Sequence, residues 1–206
     1  MAISTYEELK QEIIDWSHRG DIDLKVDTFI SMAETAMFSN EIEVLKVRGQ
    51  EVRSTSTTSG QYLALPDDYL SIRSIRLLIP DNDTDVRYRA PTQMDRKSGT
   101  GRPLYFTVTS QIEFNRVPDM DYDIEIHYYA KPAPLSSTVA TNEVLETEPN
   151  VYLFGALAAV FLWAADELEA QKYTSLFNSA IKGANKKFKK GRYGPAPSLS
   201  IAGATP

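Results

Sequence analysis

Few side chains in this sequence have both the type and the spacing that chemistry needs. There are two histidines, His18 near the end of an expected helix and His127 on the polar side of an expected strand. Neither has a second histidine at metal-ligand spacing, so each reads as a surface or structural residue. Asp67-Asp68 follows Pro66 and could offer paired carboxylates, but such a pair after proline is the chemistry of a turn or a helix cap. Asp81-Asn82-Asp83-Thr84-Asp85 opens like a calcium loop, yet the glycine and the closing glutamate that such a loop requires are missing at its sixth and twelfth positions. Gly99-Thr100-Gly101 lacks the further glycine and the lysine of a phosphate cradle and reads as a loop. With no cysteine, disulfides and thiolate metal sites are excluded, and a reducing compartment such as the cytoplasm suits the chain. No catalytic, cofactor-binding or metal-ligating residue is expected, and the chain does not read as an enzyme.

One segment does concentrate charge. Between positions 182 and 192 lie six cations and no carboxylate, namely Lys182, Lys186, Lys187, Lys189, Lys190 and Arg192, with Phe188 and Tyr193 interleaved or adjacent. Three readings fit it: a strip for nucleic-acid phosphates, a solvated helix end whose cations complement the helix dipole, or a surface that docks on an acidic protein.

The elements that must carry these residues can be read from periodicity. Ser4-Thr5-Tyr6-Glu7 has the spacing of a reciprocal helix cap, and Tyr6, Leu9, Ile13 and Trp16 then share a face as far as Gly20. A second helix, starting at Asp21 or Asp23, places Phe29, Ala33, Ala36 and Met37 at helical spacing. From Ile42 the texture changes to alternating β-branched, aromatic and polar residues broken by turn formers. Strands are expected over 50–57, 61–65, 71–78, 104–109, 111–116 and 122–130, with a short helical turn over 91–97. Helix returns near Glu148-Pro149. The uncharged stretch 151–165 is too short for a membrane span and reads as a buried core helix. In the next helix Tyr173, Leu176, Phe177, Ala180, Ile181, Ala184 and Phe188 form an apolar stripe, with Gly191 as its stop. The reading is an α+β fold: a helical bundle formed by the N- and C-terminal helices, with an inserted antiparallel β-sheet or sandwich. Its segments are 1–41 for the first helices, 42–140 for the β-rich insert, 141–190 for the last helices and 191–206 for a flexible tail.

Composition sets the outer limits. The chain has 206 residues, 42% of them hydrophobic and 24% charged, which suits a globular protein with a sizeable core. The N-terminal sequence has neither the basic start nor the apolar run of an export signal. A net charge of −6 opposes a protein whose main task is gripping nucleic acid.

Several segments, in order, resemble the adaptor or head-to-tail connector family of tailed bacteriophages, especially the short-tailed type. They are Thr5-Tyr6-Glu7-Glu8-Leu9 continuing to Asp15-Trp16; Val26-Asp27-Thr28-Phe29-Ile30-Ser31-Met32-Ala33-Glu34; and Leu65-Pro66-Asp67-Asp68-Tyr69-Leu70 with Ile72-Arg73-Ser74-Ile75. Ile112-Glu113-Phe114 with Pro118, Ile126-His127-Tyr128-Tyr129-Ala130-Lys131-Pro132, and Glu148-Pro149-Asn150-Val151-Tyr152-Leu153-Phe154-Gly155-Ala156-Leu157 complete the set. The pattern departs from the family at Phe38-Ser39-Asn40-Glu41-Ile42-Glu43, where members often carry arginine. The resemblance implies a structural virion subunit at the head-tail interface, made in the host cytoplasm, with no catalytic residues, no cofactor and no membrane. It implies a homo-oligomeric ring, commonly a dodecamer, that sits beneath the portal, supports the tail or nozzle protein and lets DNA pass during ejection. The portal or partner interface expected on that basis is Lys182, Lys186, Lys187, Phe188, Lys189, Lys190, Arg192 and Tyr193. A nucleic-acid-binding module using the same basic helix is the alternative, followed by a tail-associated cell-wall hydrolase.

Overall fold

The computed structural model describes residues 3–39, 43–58, 60–80, 82–95 and 99–192. Its contacts cluster into two compact units, one made of Met1–Arg48 with Ala133–Pro206 and the other of Gly49–Pro132.

The first unit is helical. Helix α1 (Tyr6–Ser17) is capped one residue later than the sequence suggests: Thr5 accepts from the Glu8 amide while the Glu8 carboxylate accepts from the Thr5 amide. Ser4 also donates to Glu8 through its amide and hydroxyl, each at 2.8 Å, so three donors share one carboxylate. The helix ends before Gly20, because His18 takes the left-handed cap conformation (φ 53°) and donates its amide to the Asp15 carbonyl. A 3-10 turn, Asp23–Lys25, leads into α2 (Val26–Ser39). After the β-rich segment come α3 (Glu143–Thr147), α4 (Pro149–Trp163) and α5 (Glu167–Arg192).

Helix α4 is apolar all round because it is covered on several sides, by α1, α2 and α5. Its Val151, Tyr152, Leu157 and Val160 share one core with Leu9, Ile13, Phe29 and Ile30 of the N-terminal helices and Phe177 and Ile181 of α5. At Gly155 the helices come so close that an added Cβ would lie 2.9 Å from the Phe177 ring and 3.0 Å from the Ala33 Cβ. The α4–α5 corner turns through Ala165 in the left-handed region (φ 56°), and Asp166 caps α5 by accepting from the Glu169 amide at 3.2 Å. Helix α5 runs through Gly191 instead of stopping there. Among the described residues no helix is long and apolar enough to cross a membrane.

Among the described residues the second unit holds seven strands: β1 (Glu51–Thr58), β2 (Tyr62–Leu63), β3 (Tyr69–Leu78), β4 (Thr84–Tyr88), β5 (Tyr105–Val108), β6 (Ile112–Phe114) and β7 (Tyr122–Ala130). They hydrogen-bond in the order β1-β7-β3-β4-β5-β6-β2. Ile75, Leu77, Phe106, Phe114, Ile124 and Ile126 make its core. Along β7 the side chains alternate inward and outward as expected, with Ile124 and Ile126 buried and Asp123 exposed.

This architecture overturns the expected fold class, a helical bundle carrying an inserted antiparallel β-sheet or sandwich. The strands form one nearly closed, barrel-like sheet accompanied by helices, and the sheet is mixed, since β4 and β5 run parallel. The expectation rests on the alternation of apolar and polar side chains over 122–128, which suits an antiparallel sheet with one wet face, but alternation does not record strand direction. The connection over 89–104 is long enough to carry the chain back and start β5 beside β4 in the same direction. Register shifts in β3, between Tyr69 and Ser71 and between Ile72 and Ser74, add the local twist that helps a sheet curl. Strand β4 is not among the expected strands; its first residues, Thr84-Asp85, fall within the acidic stretch weighed above as a calcium loop. The expected helical turn over 91–97 is a 3-10 turn, Pro91–Gln93, and 96–97 lies outside the described residues.

Candidate functional site

The sequence-derived candidate surface lies on α5. Tyr173, Phe177, Ile181 and Ala184 turn inward, and the spacing that buries them leaves Lys182, Lys186, Lys187, Lys189 and Lys190 exposed with Phe188 half-buried. Asn185 fixes the rotation of this stretch. Its side-chain oxygen accepts from the Lys46 amide at 2.7 Å and its amide donates to the Val44 carbonyl at 2.9 Å, so α5 is clamped to the chain leaving α2.

The lysines divide by partner. Lys187 pairs with Glu148 at 2.7 Å and Lys189 with Glu43 at 3.3 Å. Lys182, Lys186 and Lys190 stand four residues apart on one side of the helix, and no ion pair to them is found among the described residues. Over 170–192 the helix carries no carboxylate to balance them. Arg192 is the last residue of α5, and Tyr193 lies outside the described residues, as does the expected tail from there to the C-terminus.

The other polar candidates take structural positions. Asp68 accepts from the Tyr128 hydroxyl at 2.8 Å, and its carbonyl accepts from the Lys131 amide, which ties the turn before β3 to the end of β7. Burial, with Asp68 beside it, pushes the Tyr128 hydroxyl up to about 12. His127 faces Glu51 at 3.3 Å, and Arg73 pairs with the same carboxylate. Asp85 belongs to β4 and pairs with Arg76 at 3.0 Å, while Asp81 lies outside the described residues. The Gly99-Thr100-Gly101 loop runs beside Val117, with the Gly101 amide donating to the Val117 carbonyl. A Cβ at Gly101 would meet the Arg116 guanidinium at 2.8 Å, so this glycine leaves room for the arginine side chain. Among the described residues no three histidines, aspartates or glutamates are grouped to hold a metal ion.

One buried polar constellation was not anticipated. Glu34, on the inner face of α2, accepts from the Leu135 amide at 2.8 Å and from the Tyr152 hydroxyl at 3.1 Å. Asn142 donates to Tyr152 and to the Ala133 carbonyl, and its oxygen caps α3 by accepting from Val144 and Leu145. Burial raises the Tyr152 hydroxyl well above its ordinary range, so it stays protonated and donates to Glu34. The signal was present: Ile30, Ala33, Glu34 and Met37 share one helical face, and a carboxylate among three apolar neighbours demands a partner. Its chemistry is structural, because each of these contacts joins one element to another.

The chain matches the model of one protein family, described as SU10 adaptor protein, over residues 4–197. No curated protein matches it.

Proposed function

Because the chain belongs to the SU10 adaptor protein family, a phage head-to-tail adaptor family, we propose that it is the ring-forming subunit that joins the portal to the tail. Membership makes it a structural adaptor component of a virion, in a family that is generally non-enzymatic. The finer reading has copies arranged around one axis beneath the portal, continuing the DNA channel and supporting the tail or nozzle. The observation that carries it is the basic end of α5: a family adaptor needs surfaces for other proteins, and this helix presents cations to which no ion pair is found among the described residues.

The strip from Lys182 to Tyr193 is a protein-docking surface on this reading, used in two directions. Arg192, Tyr193 and the residues after them reach the portal. The side of the helix that bears Lys182, Lys186 and Lys190 faces another partner. Deleting 191–206 should weaken capture by purified portal at least about tenfold, the loss of roughly 1.4 kcal/mol, while the far-ultraviolet circular dichroism and melting of the chain stay unchanged. Undiminished capture by the truncated chain would sink the portal assignment.

A further inference from the structure

The uncompensated side of α5 has a counterpart on α1. Glu7, Glu8, Glu12 and Asp15 share the outward face of that helix with Gln11 between them. The helix's one cation, Lys10, turns away and pairs with Asp27 of α2 at 3.1 Å. Glu8, Glu12 and Asp15 accept hydrogen bonds from Ser4, Trp16 and Gln11, which hold them in place without neutralising them. Among the described residues, one helical unit therefore carries a carboxylate face on α1 with no cation paired to it and a lysine face on α5 with no anion paired to it. Among the described residues, the carboxylates that reach lysines of α5 are Glu169, Glu43 and Glu148, none of them on α1.

From this complementarity we propose that the Lys182, Lys186 and Lys190 side of α5 docks on the α1 face of a second copy of the same chain. The proposal rests on the ring reading above and deepens it by naming the lateral partner. The spacing matches. Lys182 to Lys190 spans eight residues and Glu7 to Asp15 another eight, each about 12 Å at 1.5 Å per residue. With the helices antiparallel, Asp15 meets Lys182, Glu12 meets Lys186, and Glu7 with Glu8 meets Lys190. That direction also sets the positive start of α1 against the negative end of α5.

The surface of α5 leaves room for a neighbour. A groove lined in part by Gln171, Ser175, Ser179 and Lys182 runs along the same side, and the small Ser175, Ser179 and Gly183 recur every fourth residue. A contact in which patch A of one copy meets patch B of the next is head-to-tail, the type that closes into rings when the rotation per step divides the circle.

The chain has no cysteine, which makes the test direct. Full-length Gln11→Cys and Lys186→Cys proteins are mixed, alone and after loading on purified portal, and oxidised. A disulfide-linked heterodimer is expected. Adding Lys182→Glu and Lys190→Glu to the Lys186→Cys partner should reduce its yield at least about tenfold, and adding Glu7→Lys and Asp15→Lys to the other partner should restore most of it, since opposed charges recover what like charges lose. No heterodimer in either setting, or a yield indifferent to both reversals, overturns the lateral contact. Portal loading of the unsubstituted chain is scored in the same experiment. Its failure strikes the adaptor reading, whereas normal loading without the heterodimer strikes only this interface.

Discussion

Glu34 sits where the inner face of α2 meets Tyr152 of α4 and the chain entering α3, and it is satisfied by donors from both. Replacing it with alanine strands the Leu135 amide and the Tyr152 hydroxyl away from water, and each buried orphan costs about 1–3 kcal/mol. Glu34→Ala should therefore lower the unfolding free energy by roughly 2–4 kcal/mol in denaturant titration, and Glu34→Gln, which keeps an acceptor, by clearly less. Equal losses would show that charge and not hydrogen bonding matters there. The glycines make a second, paired prediction. Gly155→Ala forces a methyl against Phe177 and Ala33, an overpacking of about 1–3 kcal/mol set against a gain of about 1 kcal/mol in helix propensity. Gly183 in α5 has nothing near its absent Cβ, so Gly183→Ala should keep that gain whole and raise stability by about 1 kcal/mol. Thermal melts of the two variants should move apart. At this scale the sequence was informative only in part. The lysines of α5 were visible because six cations without a carboxylate need no fold to be noticed, but which of them were already paired depended on Glu43 and Glu148 arriving from distant segments.

At the scale of elements, α1 and α2 are joined by a short polar chain. Tyr6 and Lys10 both hydrogen-bond to Asp27, and Tyr6 is the larger cause of the lowered Asp27 carboxyl. A carboxyl held below its unfolded value contributes stability above that value, about pH 4, and loses it as pH falls through the folded one. The Glu8 cap shifts in the same direction for its hydrogen bonds to Ser4 and Thr5. The melting temperature should therefore fall as the pH drops below about 4, and Asp27→Asn should flatten that acid limb. On the alkaline side the sign reverses. Tyr128 is raised to about 12, so its contribution is complete below the ordinary tyrosine value near 10 and disappears as pH rises through 12. Tyrosinate absorbance and loss of the sheet unit should then appear together. Elements with strong local periods were legible: α1, α2, α4, α5 and the long strands β1, β3 and β7 all fall close to their expected positions. Strand β4 and helix α3 were missed because their sequences, Thr-Asp-Val-Arg-Tyr and Glu-Val-Leu-Glu-Thr, are too short for a period to stand out. Sheet order was illegible for a different reason. A parallel pair such as β4–β5 is made by a long connection, and nothing local in either strand records its direction.

For the whole molecule the deciding quantity is the balance between a net charge of −6 and a local strip of lysines. If that strip served nucleic acid, Lys182, Lys186 and Lys190 could each neutralise about one phosphate, and the logarithm of affinity would fall with the logarithm of salt with a slope near −2.7, about 0.9 per phosphate. The acidic face of α1, carried in the same helical unit, works against such binding by repelling the rest of the duplex. On the proposed reading the chain lines a conduit for DNA, which needs surfaces that do not hold it, and lysines directed to a neighbour's carboxylates would meet that need. The full-length chain should therefore show no retention on double-stranded DNA at about 0.15 M salt, and only a weak, shallow response when salt is lowered. On the proposed lateral contact, Lys182→Glu and Lys190→Glu would leave this weak DNA response essentially unaltered while weakening the contact between copies. Tight binding with a steep slope, abolished by those same substitutions, would return the lysines to nucleic acid and remove the charge argument on which the lateral contact depends.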